Sequence, residues 1–139
     1  MKVGRAARSP PVTADPSLSI RDAARLMAER RIGLLVLTRG NEIFGVVSER
    51  DIVRAVAQGL DLGAPIGAIA TRSVITIDAE ATLAEAARLM REKGVRHLVV
   101  TKGGRLYGVL SIRDVVDEMA HLEMAAEGAI NVEHTAPAD

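Results

Sequence analysis

Apolar residues recur at helical spacing twice in this chain, as Ile20, Ala23, Ala24 and Met27 and again as Leu83, Ala86, Ala87 and Met90. Each stripe predicts an amphipathic helix with one face on a core. Ser19-Ile20-Arg21-Asp22 and Thr82-Leu83-Ala84-Glu85 open the two stripes. Both have the form of a capping box, in which the hydroxyl accepts from a free backbone N–H and the carboxylate reaches back. Gly33 and Gly94 fall at or just past the predicted helix ends. The pattern then shifts to short β-rich runs. Leu34–Leu37 and Ile43–Val47 flank Gly40-Asn41, while His97–Val100 and Leu106–Leu110 flank Gly103-Gly104. These predict two hairpins. A short extended piece precedes each set, at Pro11-Val12-Thr13 and at Val74-Ile75-Thr76-Ile77, and a second helix is expected from Ser48 and from Ser111. The order is β-α-β-β-α, twice.

The two sets are copies of each other. Gly45-Val46-Val47-Ser48-Glu49-Arg50-Asp51 and Gly108-Val109-Leu110-Ser111-Ile112-Arg113-Asp114 share the pattern Gly-apolar-apolar-Ser-x-Arg-Asp at an offset of 63 residues. Ala23-Ala24-Arg25-Leu26-Met27 and Ala86-Ala87-Arg88-Leu89-Met90 match at the same offset, as do Phe44 and Tyr107. A repeat of this length is one supersecondary unit that cannot bury its apolar face alone. The fold expected is α/β (α+β), two β-α-β-β-α repeats packed about a pseudo-twofold axis. Residues 1–58 form the first repeat, 59–73 a Gly- and Pro-containing linker and lead-in segment, 74–126 the second repeat, and 127–139 a flexible tail.

Composition narrows the function. Across 139 residues the formal net charge is zero, so general attraction to nucleic acid or to an anionic membrane is not expected. With one Phe, one Tyr and no Trp, stacking platforms for nucleic acid are nearly missing, and the core must be aliphatic. The absence of cysteine excludes disulfides, thiolate zinc sites and cysteine nucleophiles. His121 and His134 are isolated, so no metal site is expected. No phosphate-binding loop, dinucleotide fingerprint or nucleophile elbow is present, so no catalytic residue is assigned and an enzyme is not expected. With no signal-peptide core and no apolar run near the length of a membrane span, the chain reads as cytoplasmic.

The tandem unit, each copy ending in Gly-apolar-x-Ser-x-x-Asp, resembles a pair of CBS (cystathionine β-synthase) domains, a Bateman module of the small stand-alone bacterial type. Ile69-Ala70-Thr71 resembles the family's Ile-Met-Thr lead-in, and Arg96-His97-Leu98-Val99-Val100 is similar to the basic strand of adenine-nucleotide-binding members. The resemblance implies two clefts between the repeats, adenosyl ligands such as AMP, ADP, ATP or S-adenosylmethionine, and a disc-shaped homodimer. It implies ribose binding by Asp114 and Asp51. It assigns phosphate to Ser111, Arg113, Arg96, His97, Ser48 and Arg50, and the adenine side to Thr71, Val74 and Ile75. No cofactor is required; the adenine nucleotide is a regulatory ligand, and the regulated enzyme or transporter is a separate chain.

The chemistry fits those residue types. A carboxylate accepts both hydroxyls of a ribose diol, a helix start favours an anion, and arginines pair with phosphate bidentately. The plainer readings stand beside it. Ser-x-x-Asp is also a helix cap, Arg50 and Arg113 also suit exposed salt bridges, and Arg96-His97 also suits an exposed strand end. Only the second repeat has Arg96 and His97, where the first has Gly33 and Leu34. The better site is therefore expected on the second repeat's motif, Ser111, Arg113 and Asp114. The alternative function is a structural dimerisation or partner-binding module with degenerate ligand sites.

Overall fold

The 63-residue repeat produces two three-stranded sheets of the same topology. The computed structural model describes the backbone of residues 1–135 and the side-chain surroundings of residues 1–128. In the first half, β1 (Thr13–Ala14) runs parallel to β2 (Leu34–Arg39) through the crossover helix α2 (Ile20–Arg30), and β2 turns back antiparallel into β3 (Glu42–Ser48). In the second, β4 (Thr76–Asp78), α4 (Leu83–Lys93), β5 (His97–Lys102) and β6 (Arg105–Ser111) repeat the arrangement. Helices α3 (Glu49–Ala57) and α5 (Ile112–Thr135) follow the hairpins. Even the irregularity is repeated: the register shifts between Leu37 and Thr38 and again between Val100 and Thr101. Those shifts leave Phe44 and Tyr107 as the extra residues of their strands.

The helix ends show where the copies diverge. The Thr82 and Glu85 box closes fully, whereas Ser19 accepts from the Asp22 N–H but the Asp22 carboxylate turns to Arg25. The full box expected at Ser19 is therefore half a box. Helix α4 ends on Gly94 in the left-handed region. Its counterpart in α2 is Arg31, not Gly33, and Arg31 holds φ 54°. A non-glycine residue there is uncommon and costs about 1 kcal/mol relative to Gly. Helix α5 continues through Thr135, beyond the start of the tail expected from residue 127, because Ala125-Ala126-Glu127 are strong helix formers. Residues 136–139 lie outside the described residues.

The segments leading into the repeats tie the halves together. Val3, in the short helix α1 (Val3–Ala6), is fully buried among Ala79, Leu83, Leu98 and Leu110 of the second half. Ile66, in a 3₁₀ turn (Ile66–Ile69), is fully buried among Ile20, Leu35 and Val47 of the first. Each segment then lies along the last strand of that half. Arg8 exchanges two backbone hydrogen bonds with Val109, and Thr71 exchanges two with Val46. Glycine is needed beneath both. A Cβ on Gly45 would sit 2.7 Å from the Thr71 carbonyl oxygen, and one on Gly108 would meet the Arg8 carbonyl oxygen. The bulged aromatics hold the same segments. The Tyr107 hydroxyl donates to the Gly4 carbonyl, and Phe44 stacks under the Arg72 guanidinium at 3.6 Å. The largest fully buried side chains are all aliphatic, as two aromatics require. Burial of each contributes about 1.5–3 kcal/mol. Among the described residues no helix is long and apolar enough to cross a membrane.

Candidate functional site

Both Ser-x-x-Asp motifs are helix caps. The Ser48 N–H and hydroxyl donate to Asp51 Oδ2 at 2.8 and 3.0 Å, and the Asp51 N–H donates back to Ser48 Oγ at 3.3 Å. At the second motif the Ser111 N–H reaches Asp114 Oδ2 at 2.9 Å, and the Asp114 N–H reaches Ser111 Oγ at 3.1 Å. These bonds use one oxygen of each carboxylate. Oδ1 of Asp51 and of Asp114 has no hydrogen-bond partner among the described residues. Each helix start is also tied to the strand beside it. The Glu49 N–H donates to the Gly33 carbonyl at 3.0 Å, and the Ile112 N–H to the Arg96 carbonyl at 2.8 Å. Capping thus holds each aspartate rigidly with one oxygen to spare.

The first motif faces a cavity that the second does not line. A cleft of about 600 Å³ lies between the halves, lined from the first by Ser48, Arg50 and Asp51. From the second half come Thr71, Val74 and Ile75, together with Arg96 and His97. Eight of the eleven residues singled out from the sequence therefore meet in one place. Ser111, Arg113 and Asp114 do not line it. This cavity is built on the first repeat's motif, whereas the expectation had placed the better site on the second repeat's. The reason is the crossing described above. Thr71 bonds to Val46 on β3, so the lead-in of the second repeat completes the wall beside Asp51, not beside Asp114.

The walls have distinct chemistry. Arg50 and Arg54 stand one turn apart on α3 and face the cleft with Arg96. Among the described residues the ion pairs are Lys2–Glu80 and Arg25–Asp22, so these three guanidinium groups are held by no carboxylate. Val74, Ile75, Val46 and Val99 also line the cleft and present apolar surface. His97 lies between the motifs. Burial pushes its imidazole below the usual range, Glu49 and Asp114 draw it back up, and Arg96 lowers it further. An arrangement of one spare carboxylate oxygen, three free guanidinium groups and an apolar wall suits a ligand with a diol, an anion and a flat apolar ring.

Sequence reasoning missed two residues here. Arg54 follows Arg50 by one helical turn, a spacing that would have flagged it. Glu49 also lines the cleft, with its carboxylate close to Gly33. No periodicity marks it, because the position is Ile112 in the other copy.

Comparison with known proteins covers nearly the whole chain. A family model described as the CBS domain matches residues 3–58 and again residues 66–121. An uncharacterized protein of Acidianus ambivalens is 34% identical over 116 residues, 82% of this chain and 70% of that one. A CBS domain-containing protein of Bacillus subtilis is 25% identical over 88% of each chain. Among solved structures, a CBS domain protein from Pyrobaculum aerophilum complexed with AMP is 40% identical, with a TM-score of 0.77 over 87% of this chain and 99% of that one. A CBS domain pair in complex with methylthioadenosine and S-adenosyl-L-methionine is 25% identical, with a TM-score of 0.79 over 86% of this chain and 99% of that one.

Proposed function

The chain belongs to the CBS domain family, and from that premise we propose that it is a non-catalytic regulatory module that binds an adenosyl ligand, foremost AMP, in the cleft at Asp51. The observation that carries this reading is the convergence of Asp51, Arg50, Arg96 and Thr71 on one cavity between the repeats. Asp51 takes the ribose hydroxyls on its spare oxygen. Arg50, Arg54, Arg96 and His97 take the phosphate, with Ser48 at the helix start. Thr71, Val74 and Ile75 hold the base. Three free guanidinium groups favour a phosphate over a sulfonium cation, so AMP, ADP or ATP is preferred to S-adenosylmethionine. Because the ligand touches both repeats, it shifts their relative placement to the extent that it prefers one arrangement. An enzyme or transporter reads that shift, and a cytoplasmic location suits a sensor of adenine nucleotides.

Thermal unfolding tests this. At about 100 times its Kd, AMP should stabilise the chain by about 2.7 kcal/mol, a shift of several degrees. The shift should shrink in Asp51→Ala, which loses the first cleft's share of it. No shift with AMP, ADP, ATP or S-adenosylmethionine would favour the structural module instead.

A homodimer belongs to the same proposal. Val53 and Val116 are 65% and 56% exposed, Val56 and Met119 are 57% and 58% exposed, and both pairs are 63 residues apart. An apolar face with the molecule's own pseudo-symmetry suits a second copy. Light scattering should give twice the chain mass, falling to the monomer in Val116→Asp.

A further inference from the structure

The second cleft carries a contact that the first does not. At the 63-residue offset, Arg8 stands where the first cleft has Thr71, and Arg31 where it has Gly94. Thr71 and Gly94 both line the cavity. Their counterparts meet: Arg8 Nη1 donates to the Arg31 carbonyl oxygen at 3.3 Å. Both ends are anchored. The Arg8 backbone is bonded twice to Val109, Ser9 donates to the Tyr107 carbonyl at 2.8 Å, and Arg31 sits at a helix end with its carbonyl aimed by a left-handed backbone. The guanidinium therefore joins the two positions that correspond to Thr71 and Gly94 of the first cleft.

The latch is weak by its chemistry. It is a single hydrogen bond from a cation to a neutral carbonyl, between exposed residues, and it leaves the other guanidinium donors unused. A phosphate offers the same group a charge-assisted, bidentate partner, with hydrogen bonds about twice as strong. An uncharged adenosyl ligand offers only neutral acceptors, which hold the guanidinium no better than the Arg31 carbonyl does. The rest of the cleft agrees with this. Ile112 replaces Glu49, so the carboxylate lost there offsets the one gained at Asp117, and Arg113 stands where Arg50 does. Asp117 replaces Arg54, and Arg8 restores the lost cation.

We propose that Arg8 sets ligand preference at the second cleft, disfavouring adenosyl ligands without an anionic group while the Arg31 carbonyl holds its guanidinium and favouring those whose phosphate takes the guanidinium from that carbonyl. Arg8 is then the residue that sets ligand specificity at Asp114. The proposal rests on the reading of the clefts as adenosyl sites.

Equilibrium dialysis over a range of AMP and of adenosine concentrations tests it, with the intact chain and with Arg8→Thr, which installs the residue of the open cleft. Arg8→Ala serves as a second variant, and thermal midpoints check that both remain folded. The wild type should bind its second AMP about 5- to 10-fold more tightly than its second adenosine. In both variants that preference should disappear. A wild type without the preference, or folded variants that keep it, would overturn the role of Arg8 while leaving the first cleft's function intact. Failure of wild type and variants alike to bind either ligand would overturn the adenosyl reading itself and the role of Arg8 with it.

Discussion

The two clefts descend from one repeated motif and differ in almost everything except that motif. Both have a serine-capped helix start, a following arginine and an aspartate with one free oxygen. The first opens into a cavity of about 600 Å³, whereas the second has, at the positions of Thr71 and Gly94, Arg8 bonded to the Arg31 carbonyl. The motif therefore supplies a rigid carboxylate, a capped helix start and one arginine to each half. What decides whether that carboxylate can be used is the pair of residues brought to it from elsewhere: Thr71 and Gly94 at one cleft, Arg8 and Arg31 at the other.

The comparison breaks most decisively at the aspartates. Asp51→Ala should weaken AMP at the first cleft about 100-fold, since two hydrogen bonds to a charged group are lost. Asp114→Ala should leave that affinity unchanged in the same calorimetric titration. Equal losses in the two variants would mean that the clefts are not separate sites. Next come the glycines beneath the lead-in segments. Each Cβ would press on a backbone carbonyl that cannot swing aside, so Gly45→Ala and Gly108→Ala should each cost about 1–3 kcal/mol in urea unfolding, Gly108→Ala the more.

Smaller differences sharpen the picture. Arg31→Gly should raise stability by about 0.5–1 kcal/mol, because glycine holds the left-handed backbone without strain, whereas Gly94→Ala should lower it by a similar amount. The smallest effect is a pH slope. Burial lowers the His97 imidazole, so below about pH 6.5 the unfolded chain binds more protons there than the folded chain. Stability should therefore fall as pH drops from 7 to 5, and His97→Asn should flatten that dependence. Its counterpart, Leu34, does not titrate. An unchanged slope in the variant would place the acid sensitivity elsewhere.

Most of the fold was legible along the chain because its causes are local. Apolar spacing, serine and threonine caps and glycine turns act within a few residues, and the 63-residue offset allowed each element to be read twice. The eight residues that gather at the first cleft were legible by type for the same reason. Three features were not: the cavity's place at Asp51 in preference to Asp114, the part of Glu49, and the Arg8 contact. All depend on where the lead-in segments dock. Residues 3–8 lie on the second half and 66–71 on the first, through contacts between positions as far apart as Arg8 and Val109. Such pairings are decided by the burial of Val3 and Ile66 and by the room that Gly45 and Gly108 leave, none of which a periodic pattern records. The chain alone therefore established two matching halves and their chemistry, and only their packing on each other made the halves unequal.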